Sequence, residues 1–265
     1  MLSKENYETI QIDKRENGVA LATLNRPEKL NAVNGRMHYE LSTLALDANA
    51  DPEVKVLVLA GAGRAFCAGL DLKELSSASS EAASGFSGTD MLAAIDAFEG
   101  PVIGAINGFA VTGGFELALA CDLLIASSEA RFADTHARVG ILPGWGLSQK
   151  LPRLIGIHRA KELSLTGNYL SAERAEAWGL VNRVLSPEEL LPACRALAAD
   201  MLECVPEAMR GYKRVIDAGF ATTLSEGLAI EGNASRDQVR SVTPDMLAER
   251  REGVQRRGRT QSEDG

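Results

Sequence analysis

At 265 residues, with 45% hydrophobic and 24% charged side chains, the chain suffices for one large domain or two small ones and has an ordinary globular composition. A formal net charge of −8 argues against a nucleic-acid groove, and no apolar run approaches the roughly 20 residues of a membrane-spanning helix. The start, "MLSKENYETI", has no apolar signal-peptide core, and Cys67, Cys121, Cys194 and Cys204 lack ligand-like spacing, so the expectation is a cytoplasmic protein with reduced thiols, no metal and no membrane contact.

In chain order, "ETIQI" and "VALATLN" read as two strands joined by a turn at Asn17-Gly18. "RPEKLNAVN" breaks the pattern, and Met37 to Ala48 reads as a helix. "VKVLVLAG" reads as a buried strand, because five of its first six side chains are apolar. It runs into the small-residue loop "GAGRAFCAGLDLKE", and "SSASSEAASGFSG" reads as a surface loop. Met91 to Phe98 is helical in pattern and precedes "PVIGAINGFA", a strand closed by small residues. "TGGFELALACD" opens a helix, "LLIAS" and "ARFAD" are strands, and "RFADTHARVG" reads as the latter strand with its turn.

Helices are expected at Ser148 to Ile155, Arg159 to Leu165 and Ala172 to Trp178, with a last short strand in "LVNRVLS". From Pro187 onward the pattern is helical, Pro206 opens a helix, and "GRTQSEDG" is expected to fray. Strands alternating with helices over the first two thirds argue an α/β fold with a helical tail. "RREGVQRRGR" concentrates positive charge, as a solvated helix end does, or as a contact for an acidic ligand or partner subunit.

Two loop-to-helix junctions carry chemistry. In "NGFAVTGGFELALACD" a helix begins near Gly113, where the first N–H groups lack internal partners and a glycine lets a ligand oxygen come close. Glu116 follows almost one turn later in an apolar segment, which suits a partly desolvated carboxylate to proton transfer. The plainer reading is a helix-start glutamate satisfying N–H groups. The second junction, "GAGRAFCAGLDLKE", has Asp71 placed as a helix cap. Neither junction matches a dinucleotide fingerprint. Together they offer one N–H each, from Leu70 and Gly113, to a single oxygen, which is the arrangement of an oxyanion hole.

Taken in order, "NRPEKLNAVN", "GAGRAFCAGLDLKEL", "PVIGAINGFAVTGGFELALACDLLIAS" and "LPGWGLSQKLPRLIG…AKELSLTGNYLSAERAEAWGLVNRV" resemble the enoyl-CoA hydratase/isomerase (crotonase) superfamily, over about residues 7 to 220. The resemblance implies an α/β crotonase-like spiral of ββα units over residues 1–195, with a helical C-terminal oligomerisation region over 196–265. It implies a homotrimer or homohexamer, an acyl-CoA thioester substrate, a place in fatty-acid β-oxidation, and no cofactor beyond the coenzyme A of the substrate itself. It puts the oxyanion-hole donors on Leu70 and Gly113 and the first catalytic acid on Glu116. Coenzyme A contacts fall on Lys29, Leu30, Ala68, Asp71 and Leu72, and Gly114 and Thr135 complete the substrate-binding set.

Hydratases of that family carry a second glutamate after a proline, in "F-G-x-P-E". Here the position is His136, preceded by Thr135, and "PGWG" replaces "PGAG", so that Trp145 is expected to narrow the acyl pocket. A neutral imidazole with an ordinary pKa near 6.5 would serve as the base for the attacking water. In an extended segment Asp134 and His136 would point to the same side. The leading expectation is an enoyl-CoA hydratase. The alternatives are a double-bond isomerase, a thioester hydrolase or a decarboxylase working with one acid, and, in another class, a non-catalytic acyl-CoA- or RNA-binding member. His38 and His158 read as packing or surface residues.

Overall fold

The computed structural model describes Leu2 and residues 7–14, 17–77 and 91–263, apart from the side chains of 75–77 and 260–263. The "SSASSEAASGFSG" run lies outside the described residues from 78 onward. β1 (Ile10–Lys14) and β2 (Val19–Leu24) form an antiparallel hairpin, and α1 (Gly35–Asn49) follows. α1 begins two residues before the expected Met37, because the Asn34 side chain accepts the Met37 N–H and caps it.

A repeating step then builds the rest. β3 (Val56–Gly61), β5 (Val102–Ile106) and β7 (Leu123–Ser127) enter one sheet. The strand after each, β4 (Ala65–Cys67), β6 (Phe109–Val111) and β8 (Arg131–Ala133), enters another. Helices α2 (Leu72–Ser77) and α3 (Met91–Asp96) close the first step, α4 (Gly113–Leu119) the second, and α5 (His136–Val139), α6 (Leu147–Ile155) and α7 (Ile157–Thr166) the third. After β9 (Leu170–Ser171), α8 (Ala172–Ala177) and β10 (Arg183–Leu185), α9 (Pro187–Leu202) completes this part. Among the described residues the larger sheet has the order β1-β2-β3-β5-β7-β10, parallel from β2 onward, and the smaller has β4-β6-β8-β9. This is the ββα spiral.

"PVIGAINGFA" is therefore two strands, not one. At the switch Asn107 accepts the Gly61 N–H (3.0 Å) and donates to the Gly63 carbonyl (2.9 Å), while any side chain at Gly108 would run into the carbonyl of Arg64. The larger sheet is buried on both faces, which explains its unbroken apolar strands. Leu57 and Leu59 face a core with Met37, Leu41 and Ile95; Val56, Val58 and Ala60 face Leu190, Cys194 and Ala198 of α9.

The chain separates into units spanning residues 1–206 and 207–265, and α9, whose Leu190, Cys194 and Ala198 lie against the sheet, belongs to the first. The second unit consists of the rest of α10 (Pro206–Phe220) with α11 (Leu224–Val239) and α12 (Pro244–Glu263). Within the "GRTQSEDG" run α12 continues through Glu263, the last described residue.

The segment "NRPEKLNAVN" fastens two loops of the first unit. A short turn at Pro27–Lys29 leads into Leu30 and Asn31, both left-handed (φ 53° and 55°). Asn31, fully buried, accepts the Arg26 N–H (2.9 Å) and donates to the carbonyls of Ala62 (2.9 Å) and Ala65 (2.8 Å). Ala68 N–H donates to the Leu30 carbonyl, Val33 N–H to Gly69, and Asp71 N–H to Val33, while Arg26 pairs with Asp71 at 3.1 Å. Asn31→Ala removes three buried hydrogen bonds at a left-handed position that asparagine tolerates. The expected loss is about 2–4 kcal/mol, read as a lower urea midpoint at unchanged slope, and Asn31→Gly should recover only the backbone share of about 1 kcal/mol.

Candidate active site

Glu116 stands in the first turn of α4 and is only 2% exposed. Its Oε1 accepts the backbone N–H groups of Trp145 (2.8 Å) and Leu147 (3.3 Å), and its Oε2 lies 3.5 Å from His136 Nε2. A buried carboxylate needs such partners, since an unpaired charge withdrawn from water is strongly unfavourable. The loop "PGWG" is thus tied to Glu116 by its backbone, whatever its side chains do.

His136 does not sit on an extended segment. Strand β8 ends at Ala133, and His136 opens the short helix α5. It still meets Asp134, through a tight turn: Asp134 Oδ1 accepts both the His136 backbone N–H (3.2 Å) and Nδ1–H (2.7 Å). With Nδ1 committed, Nε2 is left to face Glu116. Burial works against charge on the ring, but the hydrogen bonds to Asp134 and then Glu116, with both negative charges, lift its pKa to about 9. Burial also opposes ionisation of Asp134, yet the bonds from His136 and Ser164 hold its carboxyl below the usual range. The upward direction at His136 runs against a neutral imidazole at neutral pH: the carboxylates of Asp134 and Glu116 on either side of the ring favour its charged form.

The two small-residue loops meet beside this pair. Gly69 is left-handed (φ 93°), and a methyl on it would lie 2.9 Å from the Val111 carbonyl and 3.2 Å from Gly113 N. Only glycine permits that approach. The bridge between Val33 and Leu70 uses the Gly69 carbonyl and the Asp71 N–H, which leaves the Leu70 N–H outside the pairing. Gly113 opens α4, where the N–H groups of Phe115 and Glu116 take the Thr112 carbonyl and that of Gly113 precedes the ladder. Gly69, next to Leu70, thus lies against the Gly113 nitrogen, and Glu116 is one turn further along α4.

Thr112, which precedes α4, is itself strained (φ 54°) and is held by Thr135: their hydroxyls are hydrogen-bonded, and the Thr135 N–H donates to Thr112 Oγ1 at 3.3 Å. The structure thereby commits Thr135 to placing α4. Gly114 is buried too, and any side chain on it would run into the carbonyl of Cys67, so its role is close packing of α4 on β4. Leu30, Ala68 and Asp71 come together through the loop bonds described above, and Asp71 is occupied by Arg26. Lys29 and Leu72 are exposed. The sequence reading missed Arg26, Asn31 and Thr112; a left-handed asparagine after a proline turn was the available signal for one of them.

His38 is buried in α1, with its ring 6.3 Å from that of Trp145, and His158 is exposed. Among the described residues no three or more His, Cys, Asp or Glu side chains gather as a metal ligand set, and no helix is long and apolar enough to cross a membrane.

The profile of the enoyl-CoA hydratase/isomerase family matches residues 14–256. The chain belongs to this family. It is 39% identical over 255 residues to the probable peroxisomal enoyl-CoA hydratase 1 of Arabidopsis thaliana, covering 94% of each. It is 38% identical over 246 residues to a crotonyl-CoA hydratase of Syntrophomonas wolfei, covering 89% of this chain and 94% of that one. The crystal structure of an enoyl-CoA hydratase from Bacillus anthracis matches with a TM-score of 0.86 at 35% identity, covering 96% of this chain and 97% of that one.

The charge on His136 carries a pH signature of its own. A histidine whose pKa rises from 6.5 to about 9 on folding stabilises the folded state fully below pH 6.5, and this contribution is lost as pH climbs through about 9. Thermal unfolding of the wild type should show a falling Tm across that window, and His136→Gln should lack that component. Parallel curves for the two proteins would contradict the assigned charge.

Proposed function

We propose that the chain is an enoyl-CoA hydratase that adds water reversibly across the double bond of a 2-enoyl-CoA thioester. The observation that carries this reading is the buried Glu116–His136 pair, 3.5 Å apart, one turn along α4 from Gly113. The thioester carbonyl accepts the Leu70 and Gly113 N–H groups, and each such donor is worth roughly 3–4 kcal/mol of barrier. Glu116 takes a proton from water as its oxygen bonds to Cβ. The π electrons move onto the thioester oxygen as an enolate, and the imidazolium Nε2–H delivers a proton to Cα as the carbonyl re-forms. Transfer of the proton from Glu116 to His136 restores both groups.

A one-acid isomerase would need only Glu116; the second proton-bearing group favours hydration. Mixing the purified chain with 2-butenoyl-CoA should yield a product heavier by one water. A double-bond isomer of unchanged mass, or free coenzyme A, would give the reaction another name. Glu116→Gln should lower kcat by roughly 10²–10⁴ while acyl-CoA binding is retained.

Lys29, exposed beside Leu30, suits the phosphates of coenzyme A. A homotrimer or homohexamer accords with the exposed row Tyr212, Ile216 and Phe220 along α10 of the second unit, one turn apart each. The acyl group meets Trp145. A methyl on Gly113 would lie 2.9 Å from Trp145 Cζ3, so an acyl group whose carbonyl is bonded to the Gly113 N–H has the indole as its neighbour. The wild type should therefore favour short acyl chains. Trp145→Ala should raise kcat/KM for an eight-carbon relative to a four-carbon enoyl-CoA by about tenfold or more; an unchanged ratio would show that the indole does not line the acyl path.

A further inference from the structure

The second acid of this site is built from two residues. We propose that Asp134 is a positioning residue for His136, fixing the ring so that Nε2 carries its proton toward Glu116, and that the Asp134–His136 pair together replaces the single second glutamate of the family's hydratases. The proposal rests on the hydratase reading for its catalytic consequence but not for its geometry.

The geometry is specific. Asp134 is 2% exposed and His136 6%, so water competes little for either. One oxygen, Asp134 Oδ1, holds His136 at two points, the backbone N–H that opens α5 and Nδ1–H of the ring. The backbone contact sets where the ring begins, and the ring contact sets its rotation and tautomer. Ser164 of α7 also favours the ionised form of the Asp134 carboxylate. Glu116 of α4 is the other charged group facing the ring. Imidazole adds reach between Asp134 and the reacting carbon; the carboxylate behind it keeps the donor charged well above the usual histidine range.

Asp134→Asn separates this role from a structural one. Asparagine keeps an oxygen that accepts the turn N–H of His136 and Nδ1–H, so α5 and the fold are preserved while the charge is lost. The readout independent of turnover is the titration of the His136 ring by NMR, with His136→Gln assigning its signals. In the wild type the midpoint should lie near 9, and in Asp134→Asn it should fall by about one unit or more, which is about tenfold in charged fraction above both midpoints.

In turnover, the alkaline limb of kcat should move down with it. Asp134→Asn should then lose little below its own midpoint, progressively more between the two midpoints, and above the wild-type midpoint a constant factor, roughly tenfold for each pH unit that separates the two. Adding Asp134→Asn to His136→Gln should cause no further loss, because Asp134 acts through the histidine. A His136 midpoint unmoved by Asp134→Asn, or losses that multiply in the double variant, would overturn the proposal. Should Asp134→Asn unfold, the wild-type ring itself supplies the test, and a His136 midpoint near 6.5 there would overturn the proposal equally. If the ring titrates as stated yet no enoyl-CoA is hydrated, the pairing stands and the hydratase reading falls. If hydration is found and the wild-type ring titrates near 6.5, the pairing falls and the reading stands.

Discussion

A carboxylate almost wholly withdrawn from water has to be answered by nearby donors, and the arrangement around Glu116 is that answer. Two stretches of chain converge on it: the loop at Trp145 running into the start of α6 at Leu147, and α5 with His136. The first supplies two backbone N–H groups and the second an imidazole ring whose charged form the neighbouring carboxylates favour. Without them the desolvation of Glu116 would be uncompensated in the folded state. Their presence places the Glu116 carboxylate and the His136 ring 3.5 Å apart, one turn along α4 from Gly113.

The second constraint is steric. The sheet switches and the loop meeting require backbone to touch backbone, at Gly108 against Arg64, at Gly114 against Cys67 and at Gly69 against Gly113. These glycines keep their place because a Cβ has nowhere to go, and Asn31 serves the same end from the other side by joining the carbonyls of Ala62 and Ala65 to the Arg26 segment. The strained Thr112, clamped by Thr135, shows that the position of α4 is over-determined. Rigidity of this kind suits donors that must already be in place when charge develops on a thioester oxygen.

His136 shows how far local patterning reaches. Strand alternation was enough to associate Asp134 with His136, and the association is real, but it arises from a turn in which the carboxylate bonds the N–H two residues on. Alternation along a strand and a turn of this type both bring residues i and i+2 to one side, so the sequence could not separate them. The charge state was beyond reach for a different reason. The ordinary pKa of histidine follows from its chemistry alone, whereas its rise depends on the turn that brings Asp134 onto the ring and on Glu116, twenty positions earlier in the chain.

The order of apolar strands, the glycine-rich junctions and Glu116 in an apolar helix were legible in the sequence, because each depends on side-chain type and short-range spacing. From these came the α/β class and the two loops, while the spiral and the place of Glu116 as first acid came from the resemblance to the crotonase superfamily. The meeting of the loops, the burial that makes Glu116 need partners, the assignment of Arg26, Asn31 and Thr135 to holding the frame, and the packing of α9 on the sheet belong to the tertiary structure. Each is a contact between segments distant in the chain, and desolvation, hydrogen-bond satisfaction and steric fit take effect only when those segments are brought together.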